Sequence, residues 1–147
     1  MFEVICFGKN KSSEYKDVLN EYAKRLNKDL KVIELNHQNG DKAEMIQAEE
    51  KLLSKYLETD NYKIFLDSRG REFSSEEFSK KLISIKQHKN VSFIIGGAFG
   101  FTEGFLNNAD LVLSLGKMTL PHMLARTMLL EQIYRAKMIE IGHPYHK

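Results

Sequence analysis

Val91-Ser92-Phe93-Ile94-Ile95-Gly96-Gly97-Ala98-Phe99-Gly100 decides the fold. Five residues, apolar except for Ser92, show none of the polar alternation of a half-exposed strand. They read as a strand covered by helices on both faces, which is the situation in a parallel sheet. Glycines follow immediately, so the chain can turn tightly at the strand's carboxyl end.

The same punctuation recurs outward from this stretch. On the amino side, Ser74 with Glu77 has the spacing of a capping box, opening a helix with Phe78, Leu82 and Ile85 on one stripe. Tyr62–Leu66 reads as a strand, and Asp41-Lys42-Ala43-Glu44 has capping-box spacing before a helix carrying Met45, Ile46, Leu52, Leu53, Tyr56 and Leu57. Phe2–Phe7 and Leu30–Leu35 read as strands, joined by a helix with Tyr15, Val18, Leu19, Tyr22 and Leu26 at helical spacing. Ser12 or Ser13 is available to cap that helix. On the carboxyl side, a short helical piece around 103–107 leads to a fifth strand over 111–115. Pro121 then fits the first turn of a long helix reaching about Ile141, where Gly142 stops it. Strands separated by single helices imply right-handed crossovers and a mainly parallel sheet in an α/β sandwich. There is no internal repeat, low-complexity tract or linker, so residues 1–147 are expected to form one domain.

Composition narrows the function classes. The chain is 42% hydrophobic and 29% charged, with a formal net charge of +2, which is globular and neither strongly acidic nor strongly basic. The lone Cys6 rules out an intramolecular disulfide and fits a reducing compartment. No apolar run approaches the roughly 20 residues that span a bilayer, and Met1-Phe2-Glu3-Val4 does not begin like a signal peptide, so a cytoplasmic location is expected. Residues 76–147 carry 9 basic and 6 acidic side chains against 13 and 14 in residues 1–75, so the carboxyl half leans towards an anionic partner.

Ligands of open parallel sheets bind beyond the carboxyl ends of the strands. Three such ends carry unusual loops: Leu66-Asp67-Ser68-Arg69-Gly70-Arg71, Gly96 to Gly100, and Gly116-Lys117-Met118-Thr119-Leu120-Pro121-His122. Any one alone is an ordinary turn; three on one edge favour a ligand site. The glycines lack the spacing of a dinucleotide fingerprint, Gly116-Lys117 lacks the rest of a P-loop, and there is no nucleophile elbow. His143 and His146 find no companion metal ligands in any metalloprotease pattern, so no metal is expected. The final helix is apolar all round, from Met123 to Ile139. Either it is sandwiched within the monomer or a second subunit covers it, and a place at the edge of a small domain favours the second.

Leu113-Ser114-Leu115-Gly116-Lys117-Met118-Thr119-Leu120-Pro121-His122, followed by Arg126, by Glu131-Gln132-Ile133-Tyr134-Arg135-Ala136 and by terminal Tyr145-His146-Lys147, resembles the ribosomal RNA large-subunit methyltransferase H family. These are SPOUT-class enzymes that methylate N3 of a pseudouridine (position 1915) in 23S rRNA. Ile95-Gly96-Gly97 with Gly100, Gly8-Lys9, and Glu21-Tyr22-Ala23-Lys24-Arg25-Leu26 extend the resemblance over essentially the whole chain. It implies a SPOUT-type α/β knot: a three-layer parallel-sheet sandwich with a carboxy-terminal trefoil knot, working as a homodimer on the assembled 70S ribosome.

By this resemblance S-adenosylmethionine is held by Leu66, by Gly96 and by Leu115, Gly116, Lys117, Met118, Thr119 and Leu120. Peptide groups in tight turns suit such a ligand, since the cofactor carries the electrophile and the protein positions it. Gly116 stands where the family commonly has serine, so a hydroxyl contact there is lost while a backbone contact survives. N3 is protonated at neutral pH, so the reaction needs a base or a stabiliser of the adjacent carbonyls. His146 is the leading candidate, with Tyr145 beside it and Arg135 as an electrostatic aid. Without the resemblance this tail would read as a frayed, solvated end. RNA contact falls to Lys9, Lys11, Arg69, Arg71, Lys117, Arg126 and Lys147. Two other readings stay open: a non-catalytic dimeric ribosome-binding factor and a flavodoxin-like nucleotide-binding protein.

Overall fold

The computed structural model describes residues 1–10 and 14–147. Lys11, and Ser12 and Ser13 as caps of the first helix, lie outside the described residues. Five strands, β1 (Phe2–Phe7), β2 (Leu30–Leu35), β3 (Tyr62–Arg71), β4 (Val91–Ile95) and β5 (Leu111–Leu113), form one sheet in the order β2-β1-β4-β3-β5 with every pairing parallel. The helices are α1 (Lys16–Leu26), α2 (Lys42–Ser54), α3 (Ser75–Lys86), the single turn α4 (Glu103–Leu106) and α5 (His122–Glu140).

Strand pleating sorts the apolar residues into two cores. Phe2, Val4 and Cys6 of β1, with Phe93 and Ile95 of β4, meet Leu19, Leu82 and Leu129 from α1, α3 and α5. Ile5, Phe7 and Ile94 point the other way, onto Leu53 of α2 and Phe105 of α4. The result is the expected three-layer sandwich. Val91–Ile95 is buried throughout between β1 and β3.

Local signals set most boundaries. The Ser74–Glu77 capping box is complete, each backbone N–H donating to the other's side chain at 2.8 and 3.1 Å. Asp41 accepts from the Glu44 N–H at 2.9 Å. Pro121 sits at the N-cap of α5 rather than inside its first turn. At the other end Gly142 takes φ +66°, and His143 donates to the Met138 carbonyl.

Two strands differ from expectation. β3 does not stop at Leu66: both Leu66 and Arg71 pair with Leu113, and Asp67–Gly70 bulge out between them. The bulge is fastened by Asp67, whose carboxylate accepts from the Arg69 N–H and guanidinium at 2.8–2.9 Å. β5 ends at Leu113 rather than Leu115. The Ser114 hydroxyl accepts from the Gly116 N–H and donates to the Gly116 carbonyl, turning the chain away from the sheet.

The position of α5 also corrects an expectation. It lies between α1 and α3 in the middle of a helical layer, not on an edge. No residue from 122 to 139 is fully exposed. Contacts within one protomer therefore account for much of its all-round apolarity, which is no longer by itself an argument for a second subunit.

Candidate active site

The parallel sheet brings the carboxyl ends of β3, β4 and β5 together, and their loops enclose a cavity of about 600 Å³. That size lies within the roughly 300–1,000 Å³ typical of small-molecule sites. Leu66, Gly96, Leu115, Gly116, Met118, Thr119 and Leu120 all line it. Lys117 is exposed and is not among the lining residues, and Met118 is 85% exposed at the mouth. His122 and Ala125 from the first turn of α5, and Lys42 and Ile46 from α2, complete the wall.

Gly96, Gly97, Gly100 and Gly116 lie among the lining residues, and side chains behind the loops hold them in place. A Cβ on Gly97 would lie 2.2 Å from a Glu49 carboxylate oxygen, so a side chain there would displace the Glu49 carboxylate from the turn. Arg69 donates to the Phe101 carbonyl at 2.7 Å, tying the β3 bulge to the β4–α4 loop. Sequence reading missed three groups beside the cleft. Glu49 and Glu50 of α2 bond to the β4–α4 loop. His37 stacks edge-on against His122 with ring centroids 5.3 Å apart. Burial, then the charges of His37 and Arg126, hold His122 below its ordinary value, so it is neutral at pH 7.

The tail residues gather elsewhere. Tyr145 donates to Glu131 at 2.8 Å, Arg135 donates through Nε to the other Glu131 oxygen at 2.8 Å, and Arg135 Nη1 donates to His146 Nδ1 at 3.0 Å. Since arginine only donates, Nδ1 is the acceptor and the ring proton sits on Nε2, which donates to Glu76 at 2.8 Å. The Arg135 guanidinium lies 4.8 Å from the centre of the Tyr145 ring, and Tyr134 packs edge-on against the same ring. The tail is thus docked on α3 and α5, not frayed. Burial pushes the Glu131 carboxyl up, but hydrogen bonds from Tyr22, Tyr145 and Arg135 outweigh it and hold the group below the usual range. None of Arg135, Tyr145 or His146 lines the cleft.

The basic candidates divide. Lys9 and Lys147 are exposed. Arg69 is exposed but neutralised by Asp67, and Arg71 stacks on Phe73 at 4.4 Å. Arg126 departs from expectation. Its side chain is only 6% exposed and its guanidinium is held by Glu34 at 2.8 Å, so the charge faces the interior rather than a polyanion. Among the described residues no three His, Cys, Asp or Glu side chains gather as a metal site, and no helix is long and apolar enough to cross a membrane.

Fold and cleft together define a parallel α/β protein with a cleft formed by the loops that follow β3, β4 and β5. The family model described as "Predicted SPOUT methyltransferase" matches residues 1–146. "Ribosomal RNA large subunit methyltransferase H" of Clostridium acetobutylicum is 40% identical over 98% of both chains. The protein of that name from Streptococcus pneumoniae is 42% identical over 99% of this chain and 98% of its own. Among solved structures, the tRNA (m1G37) methyltransferase from Aquifex aeolicus superposes with a TM-score of 0.52 at 12% identity, covering 91% of this chain and 69% of that one, a likeness of fold. The chain belongs to the SPOUT methyltransferase family.

Proposed function

We propose that this protein is an S-adenosylmethionine-dependent methyltransferase that modifies N3 of a pseudouridine in 23S rRNA, acting on the assembled ribosome in the cytoplasm. The homodimer and the trefoil knot belong to the same reading. The observation that carries it is the convergence of Leu66, Gly96, Leu115, Gly116, Met118, Thr119 and Leu120 on one cavity of about 600 Å³.

The cleft fits such a cofactor on its own chemistry. Its lining combines apolar residues such as Leu66, Leu115 and Leu120 with glycines and with polar residues such as Asp67, Thr119 and His122, a mixture that suits a ligand with both an apolar and a polar part. When bound, the cofactor supplies an electrophilic methyl group on a sulfonium sulfur. The chain's own task is to orient the two partners and manage one proton. Glu131 fixes Arg135 and Tyr145, and Arg135 in turn fixes the tautomer of His146. Both ring nitrogens of His146 are engaged, so it takes up the N3 proton only after Arg135 releases Nδ1. A guanidinium freed in that way can stabilise a developing oxyanion. Exposed Lys9 and Lys147, with Lys117 at the cleft mouth, provide phosphate contacts.

The test is to incubate purified protein with 70S particles and S-adenosylmethionine and to map the rRNA by mass. One added methyl on a single pseudouridine is expected. Ribosome binding without methyl transfer would make the protein a non-catalytic factor.

A further inference from the structure

Two consecutive carboxylates of α2 grip the loop between β4 and α4. Glu49, 3% exposed, accepts the Gly97 N–H at 3.2 Å. Glu50 accepts both the backbone N–H and the hydroxyl of Thr102 through one oxygen, each at 2.8 Å. Successive helix positions point about 100° apart. Both therefore reach one loop only because it runs across that face of α2, one carboxylate at its start and the other at its end.

Thr102 is itself the N-cap of α4, its hydroxyl oxygen accepting from the Phe105 N–H at 3.2 Å. Glu50 thus takes the hydroxyl proton and leaves the oxygen free to cap. Between the two anchors the loop is closed by the Gly100 N–H donating to the Gly97 carbonyl. Neither glutamate lines the cavity, whereas every residue from Gly96 to Thr102 does.

Stability alone does not account for Glu49. A buried carboxylate is expensive unless well partnered, and among the described residues this one accepts a hydrogen bond only from the Gly97 backbone N–H. Burial pushes its carboxyl up accordingly. Its carboxylate packs against the Gly97 backbone, in the place where a Cβ on that residue would lie, so its buried position is tied to that turn.

We propose that Glu49 and Glu50 are positioning residues for the methyl donor: by holding Gly97 and Thr102 they keep the peptide groups of the β4–α4 loop turned to the cleft. The role rests on the reading of that cleft as the S-adenosylmethionine site.

The experiment is calorimetric titration of S-adenosylmethionine and its demethylated product into wild type, Glu50→Ala, Glu50→Gln, Glu49→Ala and Glu49→Gln. Thermal melts and steady-state kinetics on ribosomes accompany it. Glu50→Ala should weaken donor affinity on the order of tenfold, from the loss of two charge-assisted hydrogen bonds. It should raise KM for the donor more than it lowers kcat. Glu50→Gln, which keeps an acceptor oxygen, should recover most of the affinity, and Glu49→Gln should do better than Glu49→Ala. Should Glu49→Ala fail to fold, the Glu50 pair, on a half-buried side chain, decides. Unchanged donor affinity in a folded Glu50→Ala protein, or a melting loss with no change in affinity, overturns the positioning role. A wild-type protein that binds no donor instead overturns the functional reading, and the positioning role with it.

Discussion

Arg126→Met separates a structural arginine from an RNA-binding one. The guanidinium joins three elements: Nη1 of Arg126 on α5 donates to Glu34 of β2 at 2.8 Å and approaches the Gly8 carbonyl after β1 at 3.5 Å. The same Glu34 oxygen accepts the Asn10 N–H at 2.7 Å. Methionine keeps the apolar stem and removes the charge, stranding Glu34. Breaking a fully buried pair from one side costs about 3–5 kcal/mol. Two facts lower the figure here. The Glu34 side chain is 29% exposed and keeps Asn10 as a donor. Arg126 Nε is buried with no hydrogen-bond partner, so the substitution also removes an unsatisfied donor. About 2–3 kcal/mol remains, which for a chain of this size lowers the melting temperature by about 4–12 °C.

The assay is reversible thermal unfolding of Arg126→Met, Glu34→Gln and the double variant, with coincident probes confirming a two-state transition. The double variant should cost less than the sum of the single ones, because the two side chains share one contact. Ribosome affinity is then measured against salt. Exposed Lys9→Ala and Lys147→Ala should each flatten the log–log slope by about 0.7–0.9, the contribution of one phosphate contact, and leave the melt alone. Arg126→Met should do the reverse. An unchanged melt with a flattened slope would refute the burial argument.

Acid should destabilise the protein in two stages. His122 has its folded pKa depressed, so below about pH 6.5 the unfolded chain takes up its proton first and stability begins to fall; His122→Gln should remove that stage from a melting-temperature profile. Asp67 and Glu131 are likewise depressed, Asp67 by its bonds to Arg69, so their stabilisation is present above about pH 4 and lost below it. Glu49 is raised and opposes that trend. Gly70→Ala should cost about 1–3 kcal/mol in urea unfolding, since its Cβ would meet the Val112 carbonyl oxygen at 2.5 Å. Gly116→Ser has open space around it and should cost only the strain of φ +134°, about 1–2 kcal/mol. Cys6, whose thiol is pushed up to about 11 by burial, should resist a disulfide reagent in the native protein and react at once in denaturant; rapid native labelling would contradict the packing of β1.

The fold was legible because it depends on short-range periodicity. Val91–Ile95 had to be covered on both faces, and Ser74 with Glu77 had to open a helix. What escaped depends on single polar contacts that periodicity does not encode. The β3 bulge turns on Asp67 accepting from Arg69, and the early end of β5 on the Ser114 hydroxyl closing over Gly116. The apolar coat of α5 was visible, but not its central place in the helical layer, since strand order had to be known first.

The site was legible to different degrees for the same reason. The cleft follows from topology: in a parallel sheet every loop after a strand lies on one edge, so three glycine-bearing loops were bound to converge. Arg126 escaped because burial is a tertiary fact; in a basic segment a buried arginine looks like an exposed one. The tail is the instructive case. Its anchors Glu131 and Arg135 lie on α5 one turn apart, as their spacing requires. Arg135, however, is ten positions beyond Ala125, the last α5 residue of the cleft wall, which is about 15 Å along a helix. Methyl transfer needs reacting atoms about 3–3.5 Å apart. His146, held between Arg135 and Glu76, is not among the residues that line the cleft, whose wall ends on α5 at Ala125. On the proposed function, a catalytic tail acts either by leaving Glu76 and Arg135 for the cleft of its own protomer or, docked as it is on Glu131, Arg135 and Glu76, by serving the cleft of a second copy.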